Sequence, residues 1–194
     1  AFSPDGKTIA TASGDKTAKL WNLQGKELAT LKHNDSVRNV AFSPDGKTIA
    51  TASDDKTAKL WNLQGKELAI LKHNELVYNV AFSPDGKTIA TASWDGTAKL
   101  WNLQGKEIAI LKHNEFVNNV AFSPDGKIIA TASYDKTAKL WNLQGKEIAT
   151  LKHNEFVNNV AFSPDGKIIA TASYDKTAKL WNLQGKEIAT LKHN

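Results

Sequence analysis

At 194 residues, 41% hydrophobic and 23% charged, the chain has the composition of a soluble globular protein and the length for a sizeable core. It has no Cys, which excludes disulfides and thiolate metal sites; no apolar run nears the roughly 20 residues of a membrane span and no signal-peptide pattern opens it, so a cytoplasmic location is expected. The net charge is +5, but the lysines are spread among acids (Lys7, Lys16, Lys19, Lys26 and Lys32 beside Asp5, Asp15 and Glu27), whereas a nucleic-acid groove wants a concentrated basic stripe and is not expected.

The chain begins AFSPDGKTIATAS. Asp5-Gly6, preceded by Pro4 and flanked by apolar runs, is a hairpin signal. It predicts a strand ending near Phe2, joined to a second strand over Thr8 to Ala12. A turn around Ser13 to Lys16 leads to a third strand, Thr17 to Trp21, and Leu23-Gln24-Gly25 turns the chain into a fourth, Glu27 to Leu31. No segment carries a helical apolar period, so the chain reads as all-β. Ile9 and Thr11 on one face and Ala10 and Ala12 on the other leave no wet side. Small sheets stacked radially about an axis meet that requirement.

The same pattern returns at an interval of forty residues, giving the units 1–34, 35–74, 75–114, 115–154 and 155–194. A repeat array of this kind is one body made of stacked units, so a single domain is expected. Each unit repeats Thr, Asp and Trp: Thr11, Asp15 and Trp21, then Thr51, Asp55 and Trp61, Thr91, Asp95 and Trp101, Thr131, Asp135 and Trp141, and Thr171, Asp175 and Trp181. A His stands one residue before the end of each unit, at His33, His73, His113, His153 and His193.

The pattern His, then AFSPDGKTIATASDDKTAKLWN, resembles the WD-repeat family along the whole chain. It departs from the family in Trp61-Asn62, where Trp-Asp is usual, and in Lys32-His33, where Gly-His is usual. The resemblance implies a β-propeller of five four-stranded antiparallel blades per chain. It also implies a structural tetrad in which Asp orients His, His bonds the Thr hydroxyl and that hydroxyl accepts the indole N–H. His33 would serve Thr51, Asp55 and Trp61, and the next three histidines the following blades in turn.

Thr, His and Asp could also form a hydrolase triad. Five equal copies suit architecture better than one active site, and a hydroxyl held by Trp inside a sheet stack is a poor nucleophile, so no enzyme is expected. Histidines forty residues apart, without a second His or Cys at ligand spacing, predict no metal, and no cofactor is expected.

The ends are uneven. His193 has no following copy to serve, Thr11, Asp15 and Trp21 have no preceding His, and the first unit lacks the segment equivalent to Glu155–Val160. Closing a ring at five blades needs about 72° between neighbours, which crowds the inner strands, while an open ring exposes two apolar faces. A homodimer is therefore expected, with His193 of one copy completing the first blade of the other.

A few positions change repeatedly between copies; others, such as Thr8 against Ile128 or Thr30 against Ile70, read as packing adjustments within strands. The residue before the tetrad Asp is Gly14, Asp54, Trp94, Tyr134 or Tyr174. The residues flanking a fixed Val are Ser36 and Arg38, Leu76 and Tyr78, Phe116 and Asn118, or Phe156 and Asn158. All are expected at one end of the blades, as exchangeable contacts for peptide or protein segments, with Arg38 facing an acidic group. Two alternatives stay open: a lectin-like carbohydrate binder, and a propeller assembly with no dedicated ligand. The last two units are identical over forty residues, which implies recent duplication or an engineered or excised piece.

Overall fold

The computed structural model describes residues 1–193, and its regular elements there are all strands. The first sheet holds β1 (Thr8–Ala12), β2 (Thr17–Asn22) and β3 (Glu27–Lys32), and the second β4 (Val37–Phe42), β5 (Thr48–Ser53), β6 (Thr57–Asn62) and β7 (Glu67–Lys72). The third comprises β8 (Val77–Phe82), β9 (Thr88–Ser93), β10 (Thr97–Asn102) and β11 (Glu107–Lys112). The fourth comprises β12 (Val117–Phe122), β13 (Ile128–Ser133), β14 (Thr137–Asn142) and β15 (Glu147–Lys152), and the fifth β16 (Val157–Phe162), β17 (Ile168–Ser173), β18 (Thr177–Asn182) and β19 (Glu187–Lys192). Within each sheet the strands pair antiparallel in chain order. The first sheet has three strands, and where the others carry a fourth it has one bridge, Phe2 to Ile9.

The Asp-Gly turns explain the hairpins. Between β4 and β5, Ser43 Oγ donates to Asp45 at 2.6 Å and the Lys47 amide donates to the same carboxylate at 3.0 Å. Gly46 sits at φ 69°, a left-handed conformation that costs a side-chain-bearing residue strain. A Cβ there would also lie 3.4 Å from Pro4 of the preceding sheet, so the turn helps sheets nest.

The core lies between sheets. Ala50, Ala52, Ala58, Leu60 and Leu71 of the second sheet meet Val77, Val80, Ile89 and Trp101 of the third. The next two junctions repeat this with Ala90, Ala92 and Ala98 under Val117 and Val120, and Ala130, Ala132 and Ala138 under Val157 and Val160. Alanine on one face lets the backbones approach, and the branched side chains of the next sheet fill the interval. Each fully buried Val, Ile or Leu contributes about 1.5–3 kcal/mol relative to exposure. This is why the strands read as apolar on both faces.

The two terminal faces of the stack are open. Leu191 is 49% exposed where its counterpart Leu151 is 0%. Thr11 and Ala172 are exposed, whereas Thr51 and Ala132 are buried. No helix among the described residues is long and apolar enough to cross a membrane.

Candidate functional site

Four Thr–His–Asp–Trp sets assemble. The backbone of His33 is held by the first sheet, its amide donating to Lys16 O at 2.9 Å, while its ring enters the second. There Nε2 lies 2.7 Å from Thr51 Oγ1 and Nδ1 lies 2.8 Å from Asp55 Oδ2. Trp61 Nε1–H donates to Thr51 Oγ1 at 2.8 Å. Because the carboxylate only accepts, Nδ1 carries a proton, and the threonine O–H faces the lone pair on Nε2. His73, His113 and His153 repeat the arrangement with Thr91 and Asp95, Thr131 and Asp135, and Thr171 and Asp175. Trp101, Trp141 and Trp181 bond the same hydroxyls.

Each Asp gains further donors. Asp55 accepts the Asn34 amide at 2.9 Å and the Thr57 amide at 3.0 Å, and the Thr57 hydroxyl as well. Burial opposes ionisation of Asp55, but the bonds from His33, Thr57 and Asn34 outweigh it and hold the carboxyl well below the usual carboxylate range. The same balance lowers Asp95 and Asp135. In Asp175 the opposing burial is outweighed first by Thr177, then by the Asn154 amide and His153. Thr57 and its copies Thr97, Thr137 and Thr177 were not singled out from the sequence, although the unvarying T-A-K-L in every unit was the signal for them.

This geometry is unsuited to attack on a substrate. Thr51 is 0% exposed, its oxygen is already engaged by the indole, and both nitrogens of the His ring are taken. The same engagement leaves no ring lone pair for a metal.

The ends differ as the uneven sequence requires. Trp21 Nε1 still donates to Thr11 Oγ1, at 2.9 Å, and Asp15 binds the Thr17 hydroxyl at 2.7 Å, yet Thr11 and Asp15 are exposed. At the other end the His193 amide is held by Lys176 O at 2.9 Å, as in every other copy, and the residue is exposed. Within one chain, His193 and Thr11 are not brought together.

The variable positions form a rim. Trp94 stacks on Phe116 of the next sheet, centroids 4.8 Å apart with 5° between planes, and Tyr134 stacks on Phe156 at 4.6 Å and 9°. Tyr78 lies 6.1 Å from Trp94, Phe116 lies 5.9 Å from Tyr134, and Tyr174 meets Phe156 edge-on at 6.2 Å. The result is one ladder from Tyr78 to Tyr174.

Two members of the variable set are engaged within the chain. Asn118 is 4% exposed and accepts the Trp94 indole N–H at 3.2 Å; it supports the rim from below and is not a free contact. Arg38 is paired within its own sheet, Nε donating to Asp54 Oδ1 at 2.8 Å and Nη2 closing a second bond to the same carboxylate. Its acidic partner is thus another variable residue. Leu76 is half-buried and its carbonyl accepts the Trp94 amide at 3.0 Å. Gly14 and Ser36 face each other at the small end of the rim, a Cβ on Gly14 lying 4.0 Å from Ser36 Oγ. Asn158 borders a hollow with Ala172, Ser173 and Tyr174.

Comparison with protein families agrees with this geometry. The family model described as the IFT122 first beta-propeller matches residues 64–194, and that of the WD domain, G-beta repeat, matches residues 1–22 and 25–62. The chain belongs to the WD-repeat β-propeller family. No curated protein matches it at a significant level. In this chain the recurring polar set links each sheet to the next, and the aromatic exchangeable residues form one rim.

Proposed function

We propose that this WD-repeat chain is a non-enzymatic interaction scaffold of five units in one domain, binding peptide or protein segments on its aromatic rim. The observation that carries the reading is the ladder of Tyr78, Trp94, Phe116, Tyr134, Phe156 and Tyr174 across three sheets. Tyr and Trp are among the commonest anchors of protein interfaces; here Trp94, Tyr134 and Tyr174 stand in the turns just after β9, β13 and β17, Phe116 and Phe156 just before β12 and β16, and Tyr78 within β8. Beside Tyr134 and Phe156 lies an open recess of about 430 Å³ bordered also by Glu115, Asp135 and Lys136, which supplies polar groups at an apolar floor. Carbohydrate recognition fits less well: a sugar stacks on a free ring face, and the Trp94–Phe116 and Tyr134–Phe156 pairs cover each other. Tyr174, 63% exposed, is the main exception.

Two copies are proposed to pair through their terminal faces. The exposed Leu191 and His193 at one end and the exposed Thr11 and half-exposed Trp21 at the other are the two halves of a junction that is complete four times within the chain. The identity of the last two units fits recent duplication or engineering.

Selection of peptides from a displayed library on the purified chain tests the rim. Enriched peptides should lose binding to a Trp94→Ala, Tyr134→Ala double variant that retains its fold by circular dichroism. Binders indifferent to both changes sink the rim assignment. A selection that enriches nothing favours an assembly with no dedicated ligand, and a glycan array that responds instead favours the carbohydrate reading. Light scattering that gives a monomer of about the 21.2 kDa chain mass removes the pairing.

A further inference from the structure

A glutamate begins three of the units, as Glu75, Glu115 and Glu155. Two of them are neutralised from the preceding sheet: Lys56 Nζ lies 3.2 Å from Glu75 and Lys136 Nζ lies 3.3 Å from Glu155. In each case the lysine comes from the turn between the second and third strands. In the third sheet that turn carries Gly96 instead, at φ 80°, where a Cβ would stand 3.7 Å from Glu115 O. The cation is missing while its partner remains, and among the described residues Glu115 makes no ion pair. Asp35, which begins the second unit, has no such pair either, but the turn beside it carries Asp54, already bonded to Arg38, in place of an aromatic ring.

Glu115 borders the open recess of about 430 Å³ that Tyr134, Asp135, Lys136 and Phe156 complete. Its surroundings are fixed to one another. Ser133 Oγ donates to Glu115 O at 3.2 Å, the Tyr134 amide donates to Phe116 O at 2.9 Å, and the Tyr134 ring stacks on Phe156. Of the other charges here, Lys136 is engaged by Glu155, and the Asp135 carboxylate accepts bonds from His113, Thr137 and the Asn114 amide. What remains is an apolar wall with one exposed carboxylate beside it that has no counter-charge within the chain.

We propose that this recess takes an arginine side chain of the segment bound on the rim, with the guanidinium paired to Glu115 and the methylene stem laid along Tyr134 and Phe156. The inference rests on the rim reading above and names the chemistry of one anchor. A guanidinium offers parallel N–H donors to both oxygens of a carboxylate, and it is more weakly hydrated than an ammonium, so it gives up less on entering a partly apolar site. Its stem covers apolar surface while the charge stays at the carboxylate. A segment with Asp or Glu at this place would set like charge against Glu115 and Asp135, which excludes it. The chain uses the same pairing on its own rim, where Arg38 closes two bonds on Asp54.

The test uses the full chain and two displayed libraries of random peptides, identical except that one fixes arginine and the other glutamine at the central position. Enriched peptides are synthesised and titrated by fluorescence anisotropy against the unaltered chain and against Glu115→Gln, Gly96→Lys and Lys56→Gly, each shown to be folded by circular dichroism. The expected result is enrichment from the arginine library over the glutamine library. Affinity should fall about tenfold or more when citrulline replaces the arginine and again on Glu115→Gln. Gly96→Lys, which gives Glu115 the lysine that Glu75 and Glu155 already have, should weaken binding in the same direction. Lys56→Gly, which acts at Glu75, should leave it within about twofold. Peptides that lose binding to the Trp94→Ala, Tyr134→Ala double variant but are indifferent to Glu115→Gln overturn the arginine recess and leave the rim reading intact, as does equal enrichment from the two libraries. Failure of both libraries to enrich anything overturns the recess and the rim reading together.

Discussion

His33 is anchored by its backbone to one sheet and places its Nε2 2.7 Å from Thr51 Oγ1 in the next. It is a rivet between sheets, and four of the five histidines act so. Replacing an internal one, His113→Ala, leaves the buried Thr131 hydroxyl and Asp135 carboxylate short of a partner, at a cost of about 3 kcal/mol. The expected outcome is a markedly lower urea midpoint for His113→Ala, whereas His193→Ala, whose ring is exposed, leaves the unfolding of the single chain within about 0.5 kcal/mol. Equal losses from the two changes would contradict the assignment.

The four buried carboxylates predict an acid limit. Their pKa values are depressed in the folded chain, so their contribution is complete above the unfolded value of about 3.9 and is lost as pH falls from there toward the folded values. Thermal unfolding should show a stability that is insensitive to these groups above about pH 5 and falls steeply below about pH 4. Replacing Asp95 and Asp135 by Asn should flatten that fall.

Lys16, Lys56, Lys136 and Lys176 adopt φ between 63° and 71°, and the equivalent third residue is Gly96 at 80°. A left-handed conformation costs a non-glycine residue roughly 1–2 kcal/mol. Lys136→Gly should therefore raise stability by about 0.5–1 kcal/mol after the added freedom of the unfolded glycine is subtracted. Gly96→Lys should lower it by a similar amount, measured by chemical denaturation.

Glycines of the second turn separate conformation from packing. Gly25 (φ 78°) has open space where a Cβ would stand, whereas at Gly105 (φ 77°) that atom would lie 3.2 Å from the Ala69 side chain of the preceding sheet. Both Ala variants carry the backbone cost, but only Gly105→Ala also forces two sheets apart. It is expected to destabilise by about 1–3 kcal/mol more than Gly25→Ala.

Trp94→Ala removes the stack on Phe116 and the donor to Asn118. Since Asn118 is buried, its oxygen is left unpaired, and the change should cost about 2–4 kcal/mol. Asn118→Leu in the same background should recover part of that loss; no recovery would mean that the stacking alone sets the effect.

Much of the fold was legible in the residues. The Asp-Gly and Gln-Gly turns bracket runs of β-forming residues, and Thr8, Thr17 and Glu27 begin strands as the spacing predicts. The tetrad was legible only through its fivefold recurrence and the family resemblance, because His33 and Asp55 are twenty-two residues apart and nothing local ties them. Thr57 escaped notice because a threonine opening a strand has an ordinary reason to be there. The rim was legible as variation but not as a ladder: copies that differ along the chain reveal nothing about which rings touch across sheets.

The sequence alone therefore determined the units, their strands and the polar groups each must satisfy, since turn geometry, side-chain alternation and donor–acceptor matching operate within a few residues or repeat in every copy. Only the tertiary structure decided which ring stacks on which, that Asn118 lies beneath Trp94, that Arg38 is already paired, and that alanine faces alternate with valine strands across junctions. Those relations arise between sheets, where proximity depends on how whole blades approach, and no interval along the chain encodes that distance.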